Sequence, residues 1–351
     1  MIKAWIFEFM HARAAAGVET PQDVKAVFDA NMALWEDADR LGFEGIFFSE
    51  HHFMGQSYSP SPNLLVAAVA QRTRRLRLGV MGMVLPFYEP WRVLEEIGML
   101  DHLTGGRLEV GLAAGIPQEL GRVALTHEEA RGRFDEILQI VDAGLSGGPV
   151  THNGKYWQFE DLRLSPRPLQ QPSPPVWTTV VSGGSARTSA ARGSKICTGF
   201  QSVARIAEIF GAYRGECAKH GRAATPDDLA IRRNVTIAED AGLAREMDAI
   251  ARETARAVMA GDTRVASAKS LLDAPSKDAG FTVDDQEFVS GTPDEVAEQI
   301  VEQCRGCGAG HFLATMARGS HDRRAEAVRL FGERVLPILR RADPGREGYP
   351  A

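Results

Sequence analysis

The stretch LGFEGIFFSEHHF, residues 41–53, passes from the end of a helical pattern through a glycine stop at Gly42 into a short apolar run, and then breaks into Glu50-His51-His52. A four-to-eight-residue apolar run bounded by glycine reads as a strand buried on both faces, the kind found in parallel sheets. The same unit recurs outward in both directions. Strands are expected at residues 4–9, 45–49, 77–85 and 108–112, with helices at 23–41, 63–73 and 91–103, so that four β-α units precede residue 150.

Beyond a helix at 127–146, Asn153-Gly154 between strand-like flanks signals a hairpin near 150–159. The alternation then resumes. Strands are expected at 176–181, 195–197, 229–238 and 311–316, and helices from Ser185, at 203–219, at 242–259 and at 292–304. Residues 261–289 have weak periodicity and read as a long loop, expected to act as a lid over the active site. An eightfold βα alternation predicts an α/β fold, a single (β/α)8 TIM barrel with these two insertions, whose chemistry sits at the carboxyl ends of the strands. A doubly wound sheet is the alternative, but its GxGxxG after the first strand is missing. One domain over 1–342 and a flexible tail at 343–351 are expected.

Composition narrows the function. The 351 residues carry 40 basic and 46 acidic side chains, a net charge of −6, without a basic block to follow a phosphate backbone, so nucleic acid is not an expected partner. No apolar run approaches the roughly 18 residues of a membrane span, and Glu8, His11 and Arg13 interrupt any signal-peptide core, which points to the cytoplasm. Four cysteines make no disulfide framework; Cys304 and Cys307 form a lone CxxC, readable as a redox pair or as helix packing.

Three stretches could carry chemistry. In the first, Glu50-His51-His52 lands at the rim of a barrel strand, where side chains alternate faces and at most one imidazole can face the axis. Histidine titrates near neutrality and suits a general acid or base. The pair also reads as packing at a strand end, or, with a residue from a later strand, as zinc ligands, although adjacent residues seldom converge on one ion. In the second, Gly82 sits inside an apolar strand and fits either a ligand's close approach or tight packing, while Asp101 and Arg107 are expected to pair across the next helix-to-strand turn. The third, VSGGS at 181–185, places glycines where a helix begins, an anion site built of backbone amides without a basic side chain; Ser185 also reads as a plain N-cap.

Together these stretches resemble the bacterial luciferase-like, flavin-dependent monooxygenase family. The motifs SEHHF, NLLVAAVA, LGVMGMVLP, LDHLTGGR and Gly111 to Gly115 follow in order between residues 41 and 115, and LSPRPL at 164–169, Pro175-Val176-Trp177 and VSGTPDEV at 289–296 extend the similarity. The resemblance implies reduced FMN as cosubstrate, insertion of one atom of O2 into a small organic substrate, a separate flavin reductase, and a homodimer. It assigns catalysis to His51, a non-prolyl cis peptide behind the isoalloxazine to Met81-Gly82, and phosphate binding to Gly183, Gly184 and Ser185. Luciferases place a Cys and a phosphate-binding Arg where this chain has Ala113 and Ala114, which implies weaker FMN binding and argues against long-chain aldehydes and light emission. Other branches imply two alternatives, hydride transfer with a deazaflavin coenzyme and a non-enzymatic flavin-binding role.

Overall fold

The computed structural model describes residues 1–11, 20–53, 57–259, 283–316 and 320–344. Eight parallel strands close into a barrel: β1 (Lys3–Glu8), β2 (Gly45–Phe48), β3 (Arg77–Val84), β4 (Leu108–Ala113), β7 (Val176–Thr179), β8 (Lys195–Thr198), β9 (Leu229–Ile237) and β11 (His311–Met316). β11 pairs with β1, and β8 pairs with β9, so the ring has no open edge. These are the eight strands expected from the sequence. The hairpin is present as well, with β5 (Val150–Asn153) antiparallel to β6 (Gln158–Leu162).

Helices α1 (Pro21–Leu41), α2 (Pro62–Ala70), α3 (Pro90–Thr104), α4 (Pro117–Arg122), α5 (His127–Ser146), α6 (Gly183–Ala191), α7 (Val203–Lys219), α8 (Ala241–Met259), α9 (Pro293–Cys307), α10 (His321–Leu330) and α11 (Leu336–Arg341) flank the strands. Local chemistry fixes their starts. Thr20 with Asp23, Thr126 with Glu129, Ser182 with Ser185 and Thr292 with Glu295 form reciprocal capping boxes, and proline opens α1, α2, α3, α4 and α9. Gly42 and Gly308 end α1 and α9 in the left-handed conformation.

Three expectations need correction. Residues 283–289 are not loop: a short turn at Asp285–Glu287 leads into β10 (Phe288–Gly291), which pairs in parallel with the carboxyl half of β9. β8 pairs with the amino half of β9, so β10 continues that side of the wall after β8 has ended. Of the expected lid at 261–289, residues 261–282 lie outside the described residues, as do residues 345–351 of the expected tail. Asp101 and Arg107 do not pair. The Asp101 carboxylate accepts from the Gln170 backbone and side chain, while Arg107 donates to the carbonyls of Thr104, Leu76 and Ala70. The N-cap of α6 is Ser182, not Ser185.

Cys304 and Cys307 are buried free thiols packed in the core, and burial raises the Cys307 thiol to about 11. Among the described residues, no helix is long and apolar enough to cross a membrane.

The barrel lumen is filled by Trp5, Phe7, Phe47, Met81, Trp177, Cys197, Ala230 and Leu313, separate from the larger core between strands and helices. Its amino-terminal end is polar and buried. Trp177 Nε1 donates to Glu109 at 2.5 Å, Glu109 is also paired with Arg77, and Trp5 Nε1 donates to His311 Nδ1 at 2.9 Å. Since Nδ1 accepts, the proton of His311 sits on Nε2 and is donated to the Asp227 carbonyl at 3.1 Å.

Burial, with Lys195 and Lys3 nearby, pushes the pKa of His311 down from 6.5 to about 3. The folded protein therefore binds fewer protons here than the unfolded chain between those two values. The resulting stability is complete above about pH 6.5 and is lost as pH falls toward 3, at a slope approaching about 1.4 kcal/mol per pH unit. Urea denaturation across this window is expected to show that slope, reduced by one proton's worth in His311→Asn. Parallel profiles for the two proteins would remove His311 from the account.

Candidate active site

β2 ends at Phe48, and the chain leaves the barrel through Ser49 and Glu50, both buried, into His51 and His52. The loop that follows is laced to the end of β1. Ser59 Oγ donates to the Ser49 carbonyl at 2.7 Å, Ser57 Oγ to the Phe9 carbonyl at 2.8 Å, and the Tyr58 amide to the Met10 carbonyl at 2.8 Å. This bracing sets the two imidazoles apart.

His51 stacks on Phe9, with ring centroids 5.7 Å apart and planes 12° apart; Phe9 in turn packs on the lumen residue Phe7. Its Nδ1 lies 3.0 Å from Glu119 Oε1, and the same oxygen accepts the His52 amide at 3.0 Å. His52 turns away from Phe9, with Nε2 3.0 Å from Glu50 Oε1 and its ring edge-on to Phe87. Tyr88 donates to Glu50 Oε2 at 2.8 Å, and burial beside that carboxylate drives the Tyr88 pKa well above its ordinary value, so it remains a donor. The two histidines thus engage different carboxylates, and His51 is the one that borders the lumen row of aromatics.

Glu119 was not legible in the sequence. It lies on α4, a six-residue helix whose N-cap is Ile116 and makes no side-chain cap, so only Pro117 marked its start. As a carboxylate it fixes the protonated nitrogen of a neutral His51 at Nδ1 and leaves Nε2 as a lone pair.

The cofactor residues expected from the resemblance take these places. Met81 lines the lumen, and the Met81-Gly82 peptide is cis, inside a register slip of the β3–β4 ladder between Val80 and Met83. A Cβ on Gly82 would stand 2.8 Å from the backbone of Leu112, so glycine is needed for that approach. Ala113 ends β4, paired with Val84. Gly183, Gly184 and Ser185 form the first turn of α6. The Ser182 hydroxyl accepts the Ser185 amide and the Ser185 hydroxyl donates to the Ser182 carbonyl, which leaves the Gly183 and Gly184 amides as first-turn donors without an intrahelical acceptor. Arg187, one turn on, brings Nη1 to 3.5 Å from the position a Gly183 Cβ would take, so a cation stands beside a turn that the sequence suggested had none. Ser49, on the lumen side by alternation from Phe47, has a buried hydroxyl with no partner among the described residues. Both features fit a polar ligand entering the mouth with an anionic end at α6.

The chain belongs to the luciferase-like monooxygenase family, whose model matches residues 6–311. It is 30% identical over 220 residues to the oxygenase component of the flavin-dependent trigonelline monooxygenase of Acinetobacter baylyi, covering 61% of each chain. It is 27% identical over 335 residues to limonene 1,2-monooxygenase of Rhodococcus erythropolis, covering 89% of this chain and 83% of that one. The crystal structure of the monooxygenase RslO1 from Streptomyces bottropensis superposes with a TM-score of 0.81 at 28% identity, covering 96% of this chain and 99% of that one. Against several curated relatives the matched region spans only about half of their length, between 42% and 61%.

Above neutral pH, nitrogen-correlated NMR of the histidine rings is expected to show His51 as the Nδ1–H tautomer, with that preference weakened in Glu119→Gln, where the amide can donate as well as accept. An Nε2–H tautomer in the unmodified protein would contradict the assigned role of Glu119.

Proposed function

We propose that the protein is the oxygenase component of a two-component flavin monooxygenase, using reduced FMN from a separate reductase and O2 to oxidise a small organic substrate. The observation that carries this reading is His51, oriented by a buried carboxylate and stacked on Phe9 at the carboxyl end of a barrel strand, in a chain that belongs to this family. A homodimer follows from the family resemblance.

Reduced FMN with O2 supplies the transferable oxygen atom and the electrons that reduce the second atom to water. The residues of this chain do the rest. The Gly183 and Gly184 amides, at a helix end carrying about half a positive charge, hold the phosphate, with Arg187 beside them. Met81, Gly82 and Ala113 form the wall behind the ring system. The Ser49 hydroxyl offers a hydrogen bond inside the mouth. His51 holds or moves a proton at Nε2, and Glu119 keeps that nitrogen available and stabilises the imidazolium when it forms, as a buried carboxylate does in other histidine-based sites.

Oxygen uptake with reduced FMN, compared with a reduced deazaflavin, tests the reaction class: uptake supported by FMN is expected, and activity with the deazaflavin alone would move the protein to the hydride-transfer branch. A positioned acid or base contributes about 10² to 10⁴ in rate. His51→Ala is therefore expected to lower turnover at least tenfold at nearly unchanged FMN affinity, and His52→Ala to act chiefly on stability, both judged at matched thermal melts. Greater damage to turnover from His52→Ala would reverse the two roles.

Ser185→Asp replaces the serine at N3 with an acidic partner that can still close the Ser182 capping box, so α6 should persist while phosphate is repelled. FMN affinity is expected to fall more than tenfold and riboflavin affinity to stay level by fluorescence titration. Equal losses for both ligands would place the phosphate elsewhere.

A further inference from the structure

On the strand opposite β3 in the ring, β9 sends Ala230, Arg232 and Asn234 toward the lumen. Arg232 is 7% exposed. Its guanidinium lies over three rings, Phe200 at 4.8 Å, Phe9 at 5.6 Å and Phe7 at 5.9 Å. Nε donates to Thr315 Oγ1 at 3.0 Å, Nη2 to Asn234 Oδ1 at 2.9 Å, and Nη1 pairs with Glu287. Among the described residues, that occupies three of its five N–H donors and leaves two.

Glu287 is fully buried and is shared with Arg233, whose Nη1 lies 3.1 Å from the other carboxylate oxygen. Two guanidinium groups therefore share one carboxylate, a local charge of +1. Among the described residues, Glu287 is the only carboxylate paired with either guanidinium. Cys197 is a buried thiol with its pKa pushed up to about 12. Glu119 is hydrogen-bonded to His51 and the His52 amide, and Glu50 to His52 and Tyr88, and neither is paired with Arg232 or Arg233. Glu8 pairs with Arg324 on the outer face of β1.

A buried positive charge with aromatic walls and spare donors is costly without a counter-anion, and its geometry suits a planar anionic group carried on an apolar body. We propose that Arg232 is a specificity-determining residue of the barrel mouth and that the substrate is a small organic anion, a carboxylate or its like, bound against Arg232, Phe9 and Phe200. This rests on the monooxygenase reading in that the wall opposite Met81 and Gly82 is then the substrate side. His51 and Arg232 flank the same ring, Phe9, so a ligand seated on Arg232 lies within the reach of the same site.

Benzoate and benzamide have nearly the same shape and differ in charge, and their affinities for the whole protein by calorimetry test the proposal. Benzoate is expected to bind at least tenfold more tightly, with the difference retained in the presence of saturating FMN. Arg232→Gln should abolish the preference, Arg232→Lys should keep part of it, and Glu287→Gln, which raises the local charge, should increase it. If the buried substitutions prevent folding, the unmodified protein still decides. Equal affinities for the two probes, displacement of benzoate by FMN, or a preference that survives in folded Arg232→Gln would each overturn the proposal; displacement would assign Arg232 to the flavin. Failure of the monooxygenase reading is distinct, since a chain with this anion preference that neither binds FMN nor takes up O2 keeps the Arg232 site and loses the reaction.

Discussion

A closed ring of eight parallel strands has an interior too narrow for solvent and too wide to collapse, so it must be filled by its own side chains, and everything else in this protein follows from how that filling is arranged. Trp5, Phe47 and Trp177 supply most of the bulk, with Phe47 stacked on Trp5 at 4.8 Å and edge-on to Trp177 at 5.7 Å. Where backbones crowd, residues are small. A Cβ at Gly111 would stand 2.0 Å from the Val80 carbonyl oxygen, so β3 and β4 approach as they do only because position 111 is bare. The filling is asymmetric along the axis. Its amino-terminal end is sealed by tryptophan N–H groups donating to His311 and Glu109, while the carboxyl end carries Phe9, Arg232, Thr315 and an unpartnered Ser49 hydroxyl.

On the proposed reading, that asymmetry places chemistry at one end and stability at the other. Both ends contain a buried or half-buried histidine held by a hydrogen bond, yet their circumstances differ. His311 sits among tryptophans with lysines nearby, which keeps it neutral and tied to a carbonyl. His51 has a carboxylate at one nitrogen and is partly open to solvent, the arrangement that lets an imidazole take and return a proton.

The sequence disclosed what was continuous along the chain. The step from the apolar run of β2 into Glu50-His51-His52 located the strand, its polarity and the candidate base, because strand, rim and histidine are consecutive residues. The eight barrel strands and the hairpin were legible for the same reason. What escaped depended on residues far apart in sequence or on elements too short to have a period. Glu119 is 68 positions from its partner and sits on a two-turn helix without a capping side chain. Arg232 and Glu287, 55 positions apart, meet because the turn before β10 brings Glu287 beside β9. Arg187 is exposed, as its place on the helix implies, and only the i,i+4 geometry of α6 brings its guanidinium beside Gly183.

The central claim is that the carboxyl end of the barrel, between His51, Met81 and the first turn of α6, is a flavin site with a single histidine facing it. A crystal structure of the protein with FMN tests it most directly. The account predicts the phosphate on the Gly183 and Gly184 amides, the ring system against Met81 and Gly82, and His51 Nε2 rather than His52 directed at the mouth. FMN seated outside the barrel, or a ring in the mouth approached by His52 with His51 turned away, would contradict it.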